Sequence, residues 1–150
     1  MSRRRCLISS DEEATHKLGA ELAACLAPDG LLLLYGDLGS GKTVLTKGVA
    51  AGLGIPAAEI RSPTFTLVHE HDGPRGALHH VDLYRLASEE VGEIGLEEIL
   101  ARPGVKVVEW AERLASTPRR AVRLRCERLP DGRHRFEELG ESSPDDIEES

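Results

Sequence analysis

Gly36-Asp37-Leu38-Gly39-Ser40-Gly41-Lys42-Thr43 constrains this chain more than any other segment. It satisfies G-x-x-x-x-G-K-[ST] at every fixed position. The run before it, Leu31–Tyr35, is apolar throughout, the pattern of a strand buried on both faces. After it the spacing predicts a helix from about Gly41 to Leu53, ended by Gly54 and Pro56. Glycines in such a loop let successive N–H groups point at phosphates, and the helix N-terminus adds a favourable dipole. Phosphate contacts are therefore expected from Asp37, Leu38, Gly39, Ser40, Gly41, Lys42 and Thr43. Lys42 would reach the β- and γ-phosphates, and the Thr43 hydroxyl would bind Mg²⁺.

The rest of the pattern is that of an α/β protein. Ser9 and Ser10 stand at capping-box spacing from Glu12 and Glu13, so a helix should start there and run to about Leu26, its apolar face made by Leu18, Leu22, Cys25 and Leu26. Strands are expected at Pro63–His69, Ala77–Leu83 and Val105–Val108. One or two short helices fall within Ser88–Leu100, and Trp110–Leu114 reads as helical. Ala121–Leu129 and Arg133–Phe136, joined by Pro130-Asp131-Gly132, read as a closing hairpin. The expected fold is a P-loop NTPase-like three-layer sandwich: a mostly parallel central sheet, helices on both faces, and a C-terminal antiparallel edge hairpin. At 150 residues there is room for one domain. It is placed at residues 1–136, with 137–150 an acidic, disordered tail.

Charge supports that division. The formal net charge is −7, from 19 Lys+Arg and 26 Asp+Glu. Residues 137–150 hold seven acids and no Lys or Arg, so the body is neutral. Thr117–Phe136 is Arg-rich and runs straight into the acidic tail, whose simplest role is solubility. Cys6, Cys25 and Cys126 lie far apart and form no CxxC pair, which argues for a reducing compartment rather than a disulfide framework. No apolar stretch approaches the roughly 20 residues of a membrane span, and no apolar segment follows Arg3-Arg4-Arg5, so a cytoplasmic protein is expected.

The chain has no Asn and no Gln. That excludes an N-K-x-D guanine signature and a Ras-type water-positioning Gln, and so favours ATP over GTP. A second acid for the metal should close a neighbouring strand. Asp82, after Leu78–Val81, and Glu109, after Val105–Val108, both qualify, and either could instead serve an ion pair. Ser62-Pro63-Thr64-Phe65 has the make-up of a γ-phosphate switch or of a plain strand start. His69, His71, His79 and His80 resemble a metal cluster, but adjacent His79 and His80 must face opposite sides of a strand, and structural roles are expected for all four. Five aromatics are too few for a base-stacking RNA platform.

Taken together, the loop Gly36–Thr43, Ser62-Pro63-Thr64-Phe65, His80-Val81-Asp82-Leu83-Tyr84-Arg85-Leu86, Gly95-Leu96 and Val107-Val108-Glu109-Trp110 resemble the bacterial TsaE (YjeE) family in order and spacing, over about residues 10–115. The resemblance implies a small Mg²⁺-dependent ATPase with weak turnover of its own. It would be required for threonylcarbamoyladenosine in tRNAs that read ANN codons, acting on the TsaB–TsaD heterodimer and touching tRNA only indirectly. It further implies that Lys42 holds phosphate, Thr43 and Glu109 hold Mg²⁺, Asp82 is essential for hydrolysis, Thr64 sits in a switch and Trp110 lies by the nucleotide. Two departures, His71 where the family often has Tyr and Ala111 where it often has Pro, touch none of these. Two other readings fit the loop: a small-molecule kinase using Arg119–Arg135 as a lid, and a nucleotide-gated binding module without useful hydrolysis.

Overall fold

Leu31–Tyr35 forms β2, at the centre of a seven-stranded sheet. The computed structural model describes residues 6–37, 39–61, 68–84, 95–114, 117–118 and 120–140. Across the sheet the order is β1 (Cys6–Ser9), β7 (His134–Leu139), β6 (Ala121–Arg128), β2, β5 (Val105–Glu109), β4 (Gly76–Asp82) and β3 (Val68–Gly73). β2 alternates its leucines between two cores. Leu32 and Leu34 face α1 (Glu12–Leu26) and α2 (Lys42–Gly52), while Leu31 and Leu33 face Val81, Val108 and the short α3 (Leu96–Leu100). Burial on both sides is why no polar residue interrupts the strand; each such leucine is worth roughly 1.5–3 kcal/mol over an exposed one.

The expectation of a mostly parallel sheet needs correction. β6, β2, β5 and β4 are mutually parallel, but β7 is antiparallel to β6, β1 to β7, and β3 to β4. The antiparallel character therefore occupies both edges. At the β3 edge the cause is local. Gly73 pairs with Gly76, leaving only Pro74-Arg75 as the connection, and a two-residue loop can only reverse the chain. β1 was not foreseen. The acidic tail is also shorter than drawn, because Glu137, Glu138 and Leu139 belong to β7. The Arg-rich stretch is the β6–β7 hairpin, with Arg135 on Glu127 at 2.5 Å and Arg133 on Asp131 at 2.7 Å.

The start of α1 also differs from the capping-box reading. Asp11 is the cap, its Oδ1 accepting from Ala14 N at 2.8 Å, while Ser9 is the buried end of β1 and shares a 2.7 Å hydrogen bond with Thr15. Cys25 is exposed, and the buried stripe is Thr15, Gly19, Leu22, Ala23 and Leu26. That stripe is set by how closely α1 and α2 approach. A Cβ on Gly19 would stand 2.4 Å from Leu45 O, and one on Gly48 2.3 Å from His16 O. Among the described residues no helix is long and apolar enough to cross a membrane.

Because both obstacles are backbone, Gly48→Val should force the helices apart and cost about 1–3 kcal/mol. Thermal denaturation should show a melting point several degrees lower. An unchanged melting point would mean that the helix contact contributes little.

Candidate functional site

The glycine loop leaves the end of β2 and turns directly into α2. Two of its residues cannot carry side chains. Gly36 has φ 144°, and a Cβ there would lie 2.2 Å from Cys126 O on β6; Gly41, with φ 100°, would press its Cβ to 3.1 Å from the Phe136 ring on β7. The hairpin is thus the floor of the loop. His134, stacked on Phe136, adds a polar contact from that floor, with Nδ1 3.1 Å from Ser40 O. A carbonyl only accepts, so Nδ1 carries the hydrogen. Pinning the Ser40 carbonyl to the floor turns the N–H of the same peptide, that of Gly41, the opposite way. The outer side of the loop is open, and a Cβ on Gly39 would meet nothing within 4 Å.

Sheet register brings the two acids to this loop. Glu109 is paired with Leu34 on one side and with Asp82 on the other, at the C-terminal ends of β2, β5 and β4. Of the two acids left open by the strand pattern, Glu109 is the one in contact with Thr43. The Thr43 hydroxyl lies 3.2 Å from Glu109 Oε1 and 3.4 Å from Oε2. His80 Nε2 lies 2.5 Å from Glu109 Oε2. Glu109 is 2% and His80 0% exposed. Hydroxyl and carboxylate oxygens are the donors a small hard cation such as Mg²⁺ takes, so this pair fits that ion.

Past Glu109 the chain turns sharply. Trp110 has φ 61°, in the left-handed region, and its indole covers Lys42, whose Nζ stands 4.1 Å from the ring centroid. Tyr84 packs on the same indole at 4.8 Å between centroids. Lys42 is buried and donates to the Gly36 carbonyl and, at 3.0 Å, to that of Asp37. Glu112, in the short 3-10 turn Ala111–Arg113, accepts from Gly36 N at 2.8 Å. The helical reading of Trp110–Leu114 thus resolves into this single turn.

Asp82 is 8% exposed, and its Oδ1 accepts from Tyr84 N at 2.9 Å. Burial raises its pKa above the usual carboxylate value, and the nearby charge of Glu109 adds to the rise. Cys126, beneath Gly36, is held as an inert thiol, with burial pushing its pKa up to about 12.

The structure therefore gathers Asp37, Gly39, Ser40, Gly41, Lys42, Thr43, Glu109 and Trp110 around one loop, with Asp82 beside Glu109 in the neighbouring strand. Leu38 and Thr64, with the rest of Ser62–Phe65, lie outside the described residues. Three residues that touch the site were not assigned to it from the sequence: His80, Glu112 and His134. Their partners are distant in the chain. Only His80, two positions before Asp82 and so on the same strand face, could have been flagged.

Comparison with known proteins adds the family. The family described as threonylcarbamoyl adenosine biosynthesis protein TsaE matches residues 9–135. The chain belongs to the TsaE family. A relative named tRNA threonylcarbamoyladenosine biosynthesis protein TsaE, from Treponema pallidum, is 42% identical over 130 residues, covering 85% of this chain and 94% of its own. One of the same name from Nostoc is 44% identical over 115 residues, covering 73% of this chain and 69% of its own. Among solved structures, Bacillus subtilis YdiB superposes with a TM-score of 0.71 at 32% identity, covering 99% of this chain and 92% of that one. TsaE-family proteins take part in tRNA threonylcarbamoyladenosine biosynthesis.

A raised folded-state pKa means that the ionised Asp82 destabilises the fold. Its favourable contribution is complete below the unfolded value of about 3.9 and is lost as pH rises through the higher folded value. Asp82→Asn, which keeps the acceptor for Tyr84 N, should therefore melt higher than the parent at pH 7, and the gap should close as pH falls below about 4. Melting curves at the two pH values test this. A gap that widens in acid would contradict it.

Proposed function

We propose that this chain is a Mg²⁺-dependent ATPase that serves tRNA threonylcarbamoyladenosine synthesis by acting on a TsaB–TsaD pair, as the TsaE resemblance implies. The observation that carries the ATPase reading is the contact of Thr43 with Glu109, 3.2 Å apart at the N-terminus of α2 beside the glycine loop. Membership of the TsaE family supports the pathway.

In this reading the N–H groups of Gly39–Thr43 and Lys42 Nζ bind the phosphates, Lys42 exchanging the loop carbonyls for phosphate oxygens. Thr43 and Glu109 hold Mg²⁺, which when bound neutralises charge developing on the phosphates. Asp82 orients the attacking water and accepts its proton, a task suited to a carboxylate made more basic by burial. Trp110 moves with Lys42 and shields the site from bulk water. Thr64 supplies the hydroxyl of a switch segment. A cytoplasmic location fits a partner-dependent step on tRNA. The kinase alternative loses its lid, because Arg123, Arg125 and Arg128 are built into β6 and Arg135 into β7.

Lys42→Ala should abolish ATP binding measured by calorimetry, whereas Asp82→Asn should retain binding and lose turnover; equal loss of binding in both would end that division of roles. Trp110 is the only tryptophan, and its fluorescence should change on adding ATP. ADP release should be slow for the chain alone and markedly faster with a TsaB–TsaD pair from the same source. Absence of both acceleration and ATP-dependent association would reduce the protein to a nucleotide binder and reopen the kinase reading.

A further inference from the structure

A buried carboxylate can present an oxygen to a metal only if something fixes its orientation. Glu109 leaves β5 at the position paired with Asp82, yet its side chain leans back along β4 to His80, the diagonal neighbour on the same sheet face. His80 is fully buried, and its other ring nitrogen, Nδ1, has no hydrogen-bond partner among the described residues. A carboxylate oxygen only accepts, so the hydrogen between the two groups is carried by Nε2 and donated to Oε2; a hydrogen on Nδ1 alone would leave a buried donor unpaired and the Glu109 oxygen unmet. With Oε2 held by His80, Oε1 is the oxygen nearer the Thr43 hydroxyl, at 3.2 Å.

We propose that His80 is a positioning residue for the cation site: its Nε2–H locks the Glu109 carboxylate so that Oε1 faces Thr43 and the metal. The proposal deepens the Mg²⁺-ATP reading and rests on it. His80 touches neither nucleotide nor metal. It acts as hydrogen-bonded partners of metal-ligating carboxylates do, by orienting the ligand, and loss of such partners typically costs 10–100-fold in metal affinity. The expectation from the alternation of His79 and His80 was a structural role for both. His79, on the opposite face, fits that, with Nε2 2.9 Å from Pro103 O.

The test is the affinity of the full chain for a non-hydrolysable ATP analogue, measured by calorimetry with saturating Mg²⁺ and again in excess chelator, for the parent, His80→Leu, His80→Gln and His80→Asn. Leu removes the donor. Gln can place an amide N–H where Nε2–H stood, whereas Asn is too short to reach. Leu and Asn should lower the Mg²⁺-dependent part of the affinity by about tenfold or more and leave the chelator value unchanged, with Gln restoring most of the loss. If Leu does not fold, the Gln–Asn contrast decides. Full Mg²⁺ dependence in the Asn protein, or losses equal with and without Mg²⁺, would overturn the role. A parent chain that binds the analogue no better with Mg²⁺ than without would instead overturn the ATPase reading itself.

Discussion

Glu109 keeps only 2% of its surface in water, and the geometry around the glycine loop follows from that one burial. An unpaired carboxylate at such depth costs several kcal/mol. The donors that meet it come from separate elements, the His80 ring from β4 and the Thr43 hydroxyl from the first turn of α2. One side chain therefore ties strand register to helix position. A slip of β5 by a single residue would turn Glu109 to the opposite face and leave both donors facing apolar neighbours.

The residues that follow Glu109 bind the loop again from the other side. Trp110 adopts a left-handed conformation that costs a non-glycine residue roughly 1–2 kcal/mol, and in exchange its ring covers Lys42. Glu112 then takes the N–H of Gly36. The buried acid, the indole over Lys42 and the loop anchor thus lie within four consecutive residues. A displacement of Lys42 is felt at once by the segment that holds Thr43.

The parts of the fold that were legible in the sequence are those whose cause is local. β2 is an unbroken apolar run because both its faces are covered, and α2 sits within a residue of its expected start because Gly41 ends the loop. The parts that were not legible depend on distant partners. β1 is four residues with Leu7 and Ile8 exposed, and only β7 makes it a strand. At the site, Lys42, Thr43 and Glu109 follow from motif and strand-end position. His134 meets Ser40 from 94 positions away and Glu112 meets Gly36 from 76, so spacing carried no trace of either contact. For His80 the alternation argument separated it from His79 but could not see that Glu109 shared its face.

The floor of the loop has a consequence for the order of events during synthesis. Gly36 and Gly41 rest on Cys126, His134 and Phe136, which are made last among the described elements. β2 pairs with β5 and β6, both downstream of the loop, so when the loop emerges neither the sheet that holds its strand nor its floor is in place. A ribosome-bound chain that has just displayed its whole glycine motif therefore still lacks the residues that shape the loop. The conformation of the loop is therefore set only when the hairpin lies beside β2, by contacts of long sequence separation.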